Sequence, residues 1–123
     1  MENLKFTKNH EWVRVEGDKA VIGISDYAQH AMGDVVFVEL PEVDASFKQD
    51  EGIATIESVK AVSDVYAPIS GKVIEVNEKL EDEPALINED AYGEGWVYAV
   101  EIENVSELDN LMSNSEYEEF IKK

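Results

Sequence analysis

Glu57-Ser58-Val59-Lys60-Ala61 is the stretch on which the reading of this chain turns. Apolar, β-prone segments precede and follow it, at residues 53–56 and 61–66, so the chain must reverse direction close to Lys60. Two acids, Glu57 and Asp64, flank the lysine, with no nucleophile or catalytic base beside it. Two readings compete. A turn between strands is exposed, and lysine is soluble there. Alternatively, a lysine at a hairpin tip is a place to attach a prosthetic group. The rest of the chain decides between them.

At 123 residues the chain predicts one domain, spanning 1–123, able to bury a modest core without staples. It has no cysteine, which excludes disulfides, thiolate metal sites and a cysteine nucleophile. Sulfur redox chemistry would have to come from a cofactor. The first ten residues are too polar for a signal peptide, and no apolar run approaches the length of a membrane span. The expectation is a soluble, cytoplasmic protein. The formal net charge is -18, from 28 acids against 10 bases. Such a surface repels phosphate backbones and anionic lipid, which argues against nucleic-acid and membrane partners. It suits docking onto basic patches of other proteins. Residues 75–109 hold 12 of the acids and a single base, Lys79.

Outward from the central hairpin, residues 12–16 and 20–24 read as strands joined by a Gly17-Asp18 turn. Ser25 or Asp26 can cap a short helix over 26–32, which Gly33 ends. Residues 35–40 are a strand stopped by Pro41, and 42–50 read as loop. A turn at Pro68-Ile69-Ser70-Gly71 leads to a strand over 72–76. Gly33-Asp34-Val35-Val36-Phe37-Val38 resembles Gly71-Lys72-Val73-Ile74-Glu75-Val76 at an offset of 38 residues, a weak internal repeat that brackets Lys60. Residues 78–90 read as acidic and irregular. Residues 96–103 alternate as a strand with Trp96, Tyr98, Val100 and Ile102 inward. Two helices are expected at the end, 106–112 capped by Ser106 and 116–121 capped by Ser115. Short strands dominate, favouring two small packed sheets or a flattened barrel.

No chemistry of the chain's own emerges. The glycines form no phosphate-binding fingerprint, and His10 and His30 form no spaced metal motif. Carboxylates are so common that any chosen acid–base pair is uninformative. One distinctive lysine, no catalytic set and an anionic surface fit a carrier, whose tether raises the effective concentration of what it holds.

Several segments carry a family resemblance: His10-Glu11-Trp12-Val13, Gly23-Ile24-Ser25-Asp26-Tyr27-Ala28-Gln29, and Gly33-Asp34-Val35-Val36-Phe37-Val38-Glu39-Leu40-Pro41. Glu57-Ser58-Val59-Lys60-Ala61-Val62-Ser63-Asp64, Pro68-Ile69-Ser70-Gly71, Asn88-Glu89-Asp90 and Tyr92-Gly93-Glu94-Gly95-Trp96 continue it. In this order and number they resemble the H proteins of glycine cleavage systems, which are lipoyl carriers. Biotin carriers normally place methionines on both sides of their lysine; here the neighbours are Val59 and Ala61. Carrier domains of 2-oxoacid dehydrogenases usually show aspartate before the lysine and lack the His-Glu-Trp start.

The resemblance implies a mainly β fold, a barrel-sandwich hybrid of two small antiparallel sheets with short C-terminal helices. It implies lipoate in amide linkage on Lys60, attached by a lipoate ligase or lipoyltransferase. It implies a groove for the loaded arm formed by Glu11, Asp64 and Asn9. The implied partners are a pyridoxal-phosphate glycine decarboxylase (P protein), a tetrahydrofolate-dependent aminomethyltransferase (T protein) and a dihydrolipoamide dehydrogenase (L protein). The protein would be a monomeric shuttle without turnover or metal of its own. Alternatives are a lipoyl-group donor, an H-like carrier of another lipoate pathway, or an unmodified β-rich interaction module. The chain departs from the family pattern at Asp44 and Asp50, where glycines are common, at Ala54, and at Ala31, where some relatives have histidine.

Overall fold

The computed structural model describes residues 4–122. Its N-terminal meander comprises β1 (Leu4–Phe6), β2 (Glu11–Glu16) and β3 (Lys19–Ile24). Gly17 adopts φ 66, so a two-residue turn closes the second hairpin with Glu16 opposite Lys19. Helix α1 (Asp26–Met32) follows at once, and Ser25 is its cap, accepting the Ala28 N–H at 3.1 Å. Strand β4 (Val35–Glu39), a two-residue β5 (Ser46–Phe47), the central hairpin β6 (Gly52–Ser58) and β7 (Val62–Tyr66), and β8 (Gly71–Val76) come next. Short helices α2 (Lys79–Asp82) and α3 (Leu86–Glu89) lead to β9 (Tyr98–Ile102). A 3-10 turn at Val105–Asn110, β10 (Met112–Ser113) and α4 (Asn114–Ile121) complete the chain.

These strands form two unequal antiparallel sheets, as the mainly β hybrid expectation requires. The larger has the order β10-β1-β2-β3-β9-β8-β5, the smaller β4-β6-β7. Val13, Ile22, Val73, Tyr98 and Val100 from the first pack against Val38, Ile56 and Val65 from the second. Burial of such side chains stabilises by roughly 1.5–3 kcal/mol each. The large sheet has a second buried face, where Leu4, Phe6, Trp12, Val21 and Ala99 meet Tyr117 of α4. Trp12 lies on Gly23, its cross-strand partner, where a Cβ would stand 2.8 Å from the indole. Its Nε1–H donates to the Ala91 carbonyl at 2.9 Å. This double covering explains why the inward alternation expected of β9 is incomplete. Ala99, assigned outward by period, is buried under α4, whereas Trp96 and Ile102 are only half-buried.

The weak repeat has a structural counterpart. The β4–β6 register slips between Val35 and Phe37, and the β8–β9 register slips between Val73 and Glu75, the positions 38 residues on. Each is a bulge that turns two consecutive side chains outward, Val36 with Phe37 and Ile74 with Glu75.

Four expectations need correction. The 42–50 loop contains β5, held by pairing with β8, and the 78–90 stretch contains α2 and α3 rather than irregular chain. The expected helix over 106–112 is a 3-10 turn capped by Asn104, whose side-chain oxygen accepts from both the N–H and the hydroxyl of Ser106. Met112 instead pairs with Phe6 as strand. The last helix begins two residues early: Ser113, not Ser115, forms the capping box, reciprocally with Glu116. Ser113 wins because β10 pairing ends the strand there and hands its backbone directly to the helix. No helix among the described residues is long and apolar enough to cross a membrane.

Candidate functional site

The turn between β6 and β7 is Ser58-Val59-Lys60-Ala61, and Ser58 organises it. Its N–H donates to the Ala61 carbonyl at 2.8 Å, and its Oγ accepts the Ala61 N–H at 3.1 Å and the Lys60 N–H at 3.4 Å. The Val59 N–H donates to the Asp34 carbonyl at 3.0 Å, which ties the turn to the entry of β4. Lys60 is exposed and enters no ion pair among the described residues. Its aliphatic stem runs over Gly33, the residue that ends α1, which has φ 82 and ψ -159.

Beneath that platform sits Asn88 of α3. Its Oδ1 accepts the Val35 N–H at 2.8 Å, while its Nδ2 donates to Gln29 Oε1 and to the Gly33 carbonyl, both at 2.9 Å. One side chain thus clamps the end of α1 to the start of β4, and so sets the floor under Lys60.

Beside the platform lies a cleft of about 340 Å³ between α1 and the inner rim of the sheets. Asn9, Glu11 and Asp64 all line it, so the structure brings the three expected groove residues together. They differ in character. Asn9 and Asp64 are exposed, and Asp64 accepts from Thr55 at 3.5 Å. Glu11 is 1% exposed. It shares the inward face of β2 with Val13, so its carboxylate enters the space between the sheets. There it accepts the Thr7 hydroxyl at 2.6 Å and the Tyr66 N–H at 3.0 Å. Burial pushes its carboxyl up to about 7 against the pull of those two bonds, with Asp50 adding to the rise. Ala31 forms part of the opposite wall.

Sequence reasoning left several participants without a role. His10 takes φ 70, packs its ring 4.9 Å from Tyr27, and shares a 2.7 Å hydrogen bond with the Tyr117 hydroxyl. Burial lowers the pKa of that imidazole. Thr7 and Ser58 act through partners two to four residues away that were given no role, and Asn88 through partners more than 50 residues away, although Ser58 and Asn88 lie in segments that carried the family resemblance. Gly33 was legible as a helix stop and as the start of the weak repeat, but not as the seat of the Lys60 stem. Asp44 and Asp50, flagged where glycine is common, adopt φ 78 and 72, the conformation glycine tolerates best. No cluster of three metal-ligating side chains occurs among the described residues.

A family model described as Glycine cleavage H-protein matches residues 4–123. The glycine cleavage system H protein of Halothermothrix orenii is 52% identical over 121 residues, covering 98% of this chain and 94% of that protein. That of Stenotrophomonas maltophilia is 57% identical over 121 residues, covering 98% and 92%. The crystal structure of a glycine cleavage system H protein from Mycobacterium marinum superposes with a TM-score of 0.91 at 39% identity, covering 100% of this chain and 99% of that one.

Proposed function

The chain belongs to the glycine cleavage H-protein family, and on that premise we propose that Lys60 is the residue that bears the family's lipoyl group. The protein is a lipoyl-bearing carrier of the glycine cleavage system, moving the aminomethyl intermediate between enzymes without catalytic turnover of its own. Proteins of this family work with the P, T and L proteins of that system. For this chain we assign those roles to a glycine decarboxylase, an aminomethyltransferase and a dihydrolipoamide dehydrogenase, with a lipoate ligase or lipoyltransferase attaching the group. We treat 1–123 as a single carrier domain.

The observation that carries the assignment is the seating of Lys60. Its stem rests on a residue without a side chain, its turn is pinned at Ser58 and Val59, and no acid pairs with it among the described residues. The amine is therefore presented to an attaching enzyme instead of being used by the fold. A free lysine is protonated at neutral pH and weakly nucleophilic, so activation falls to that enzyme. When bound, the lipoyl group supplies the redox-active sulfur pair that a cysteine-free chain lacks.

The cleft is the resting place we assign to the loaded arm. Asp64 and Asn9 offer polar contacts at its mouth, Glu11 a carboxylate at its wall, and Ile24, Met32 and Ile56 an apolar lining. A cationic amine lodged there would meet a carboxylate and be shielded from water. Two measurements test the function: peptide mapping of the protein expressed with lipoate and its attaching enzyme, and glycine-dependent carbon dioxide exchange with the decarboxylase. Modification at Lys60, and exchange abolished by Lys60→Ala, are expected. Equal exchange by wild type and Lys60→Ala would refute the carrier assignment.

A further inference from the structure

A second concavity, about 440 Å³, runs between α1 and α4 on the far side of Tyr27 from the arm cleft. Tyr27, Tyr92 and Tyr117 line it with Ile121, and Asp26 and Glu118 stand at its edges. Tyr117 is buried, and its hydroxyl is spent on His10 and Ser25, each at 2.7 Å. Tyr92 accepts the Asp26 N–H at 3.0 Å. Burial raises the Tyr92 phenol against the pull of the Asp26 N–H, and the charges of the Asp26 and Glu118 carboxylates add to the rise, as expected of two carboxylates facing one space. Among the described residues no lysine or arginine lines the groove, and His30, 3.4 Å from Asp26, is the only one of them there able to become cationic.

Aromatic faces bounded by carboxylates on a strongly acidic protein match one kind of group. We infer that this groove docks an arginine side chain presented by a partner enzyme. A guanidinium is planar and weakly hydrated, so it stacks on tyrosine while its fork of N–H donors meets carboxylates. A lysine ammonium would reach the carboxylates but forgo the stacking. The chain uses the same recognition internally: Arg14 lies 5.4 Å over Trp12 and donates to Glu16 at 2.7 Å. That the partner is one of the enzymes served by the carrier rests on the reading given above. Tyr27 lines both the groove and the arm cleft, so an arginine docked here abuts the wall of the arm's resting place.

The test uses the lipoylated protein as substrate for each of the three partner enzymes in turn. Asp26→Asn with Glu118→Gln keeps the side-chain acceptors and removes the charges. It should raise KM about tenfold for at least one enzyme, the size of one lost charge-assisted contact, with kcat within about twofold. Glu81→Gln with Glu83→Gln removes the same charge elsewhere on the acidic surface and should change KM less than about twofold, as rim charges do. Unchanged KM in all three assays, or an equal rise in the control variant, would overturn the groove while leaving the carrier function standing. Wild-type protein that none of the three enzymes turns over would overturn both.

Discussion

Gly33 lies directly under the stem of Lys60: a Cβ at position 33 would stand 3.3 Å from Cε of the lysine and 4.0 Å from Cγ2 of Val59. Its φ of 82 and ψ of -159 fall in a region open essentially only to glycine. Gly33→Ala should therefore cost about 1–3 kcal/mol and displace the lysine it supports. Urea unfolding gives the first quantity, and the initial rate of lipoylation, read by intact mass, gives the second. A variant as stable and as quickly modified as wild type would show that the contact sets nothing.

Glu11 makes stability depend on pH in a direction opposite to most paired carboxylates. Its folded value of about 7 lies above the ordinary 4.5, so between those limits the native state holds the extra proton. Stability is then greatest below that window and falls as pH rises through it, by about 3 kcal/mol in total. The lowered imidazole of His10 acts the other way, because there the unfolded chain holds the proton. Comparison with Glu11→Gln cancels the His10 contribution. The difference in stability between variant and wild type should move in the variant's favour from pH 5 to pH 8, measured by urea titration. A difference that does not change with pH would mean that Glu11 ionises normally.

The same carboxylate should govern the life of the loaded arm. Above about pH 7 Glu11 is ionised and can pair with a cationic amine, and that pairing would itself favour ionisation. Ammonia and formaldehyde release from aminomethyl-loaded protein, without partner enzymes, should be roughly tenfold faster in Glu11→Ala than in wild type at pH 8. Lipoylation of Lys60 should be intact in both. Identical decay would remove Glu11 from the sheltering role.

Tyr98 is fully buried, and its hydroxyl has no hydrogen-bond partner among the described residues. Burial pushes its phenol well up, and Glu11 adds to the rise. An unpaired buried hydroxyl costs free energy, so Tyr98→Phe should lose nothing and gain up to about 1 kcal/mol. Thermal unfolding reads this directly. A loss of that size instead would reveal a buried water serving the hydroxyl.

The start of α4 distinguishes two serines that stand two positions apart. Ser113→Ala should cost about 1 kcal/mol, because its Oγ accepts the Glu116 N–H at 3.2 Å. Ser115→Ala should fall within about 0.5 kcal/mol of wild type, as exposed positions away from caps do. Paired chemical denaturation of the two variants decides the register, and equal losses would contradict the capping box.

Local pattern was enough for much of this molecule. Alternation and turn residues placed β2, β3 and the Lys60 hairpin within one or two residues, since strand period and the Gly17 turn are properties of consecutive residues. The lysine could be singled out because it stands where the chain reverses, in the Glu57-Ser58-Val59-Lys60-Ala61 setting that carries the resemblance. Segments quoted for the resemblance contained Asn9's neighbours, Asp64 and Asn88 without assigning Asn88 any task. The family resemblance also marked Asp44 and Asp50 as positions where glycine is common, and their positive φ values agree.

Tertiary contact decided the rest, because the deciding partners are distant in the chain. Apart from the resemblance, Glu11 is one acid among 28, and its burial follows only when Tyr66, 55 residues away, donates to it and the two sheets close over it. Asn88 becomes a clamp only when α3 is brought against Gly33 and Val35, 55 and 53 residues back. Ala99 is buried against its period because α4 folds over the outer face of the large sheet. Ser113 caps where Ser115 could equally have done so, since pairing between Met112 and Phe6 fixes where the strand ends. Desolvation depends on what the fold packs around a group, and neither spacing nor composition carries that information.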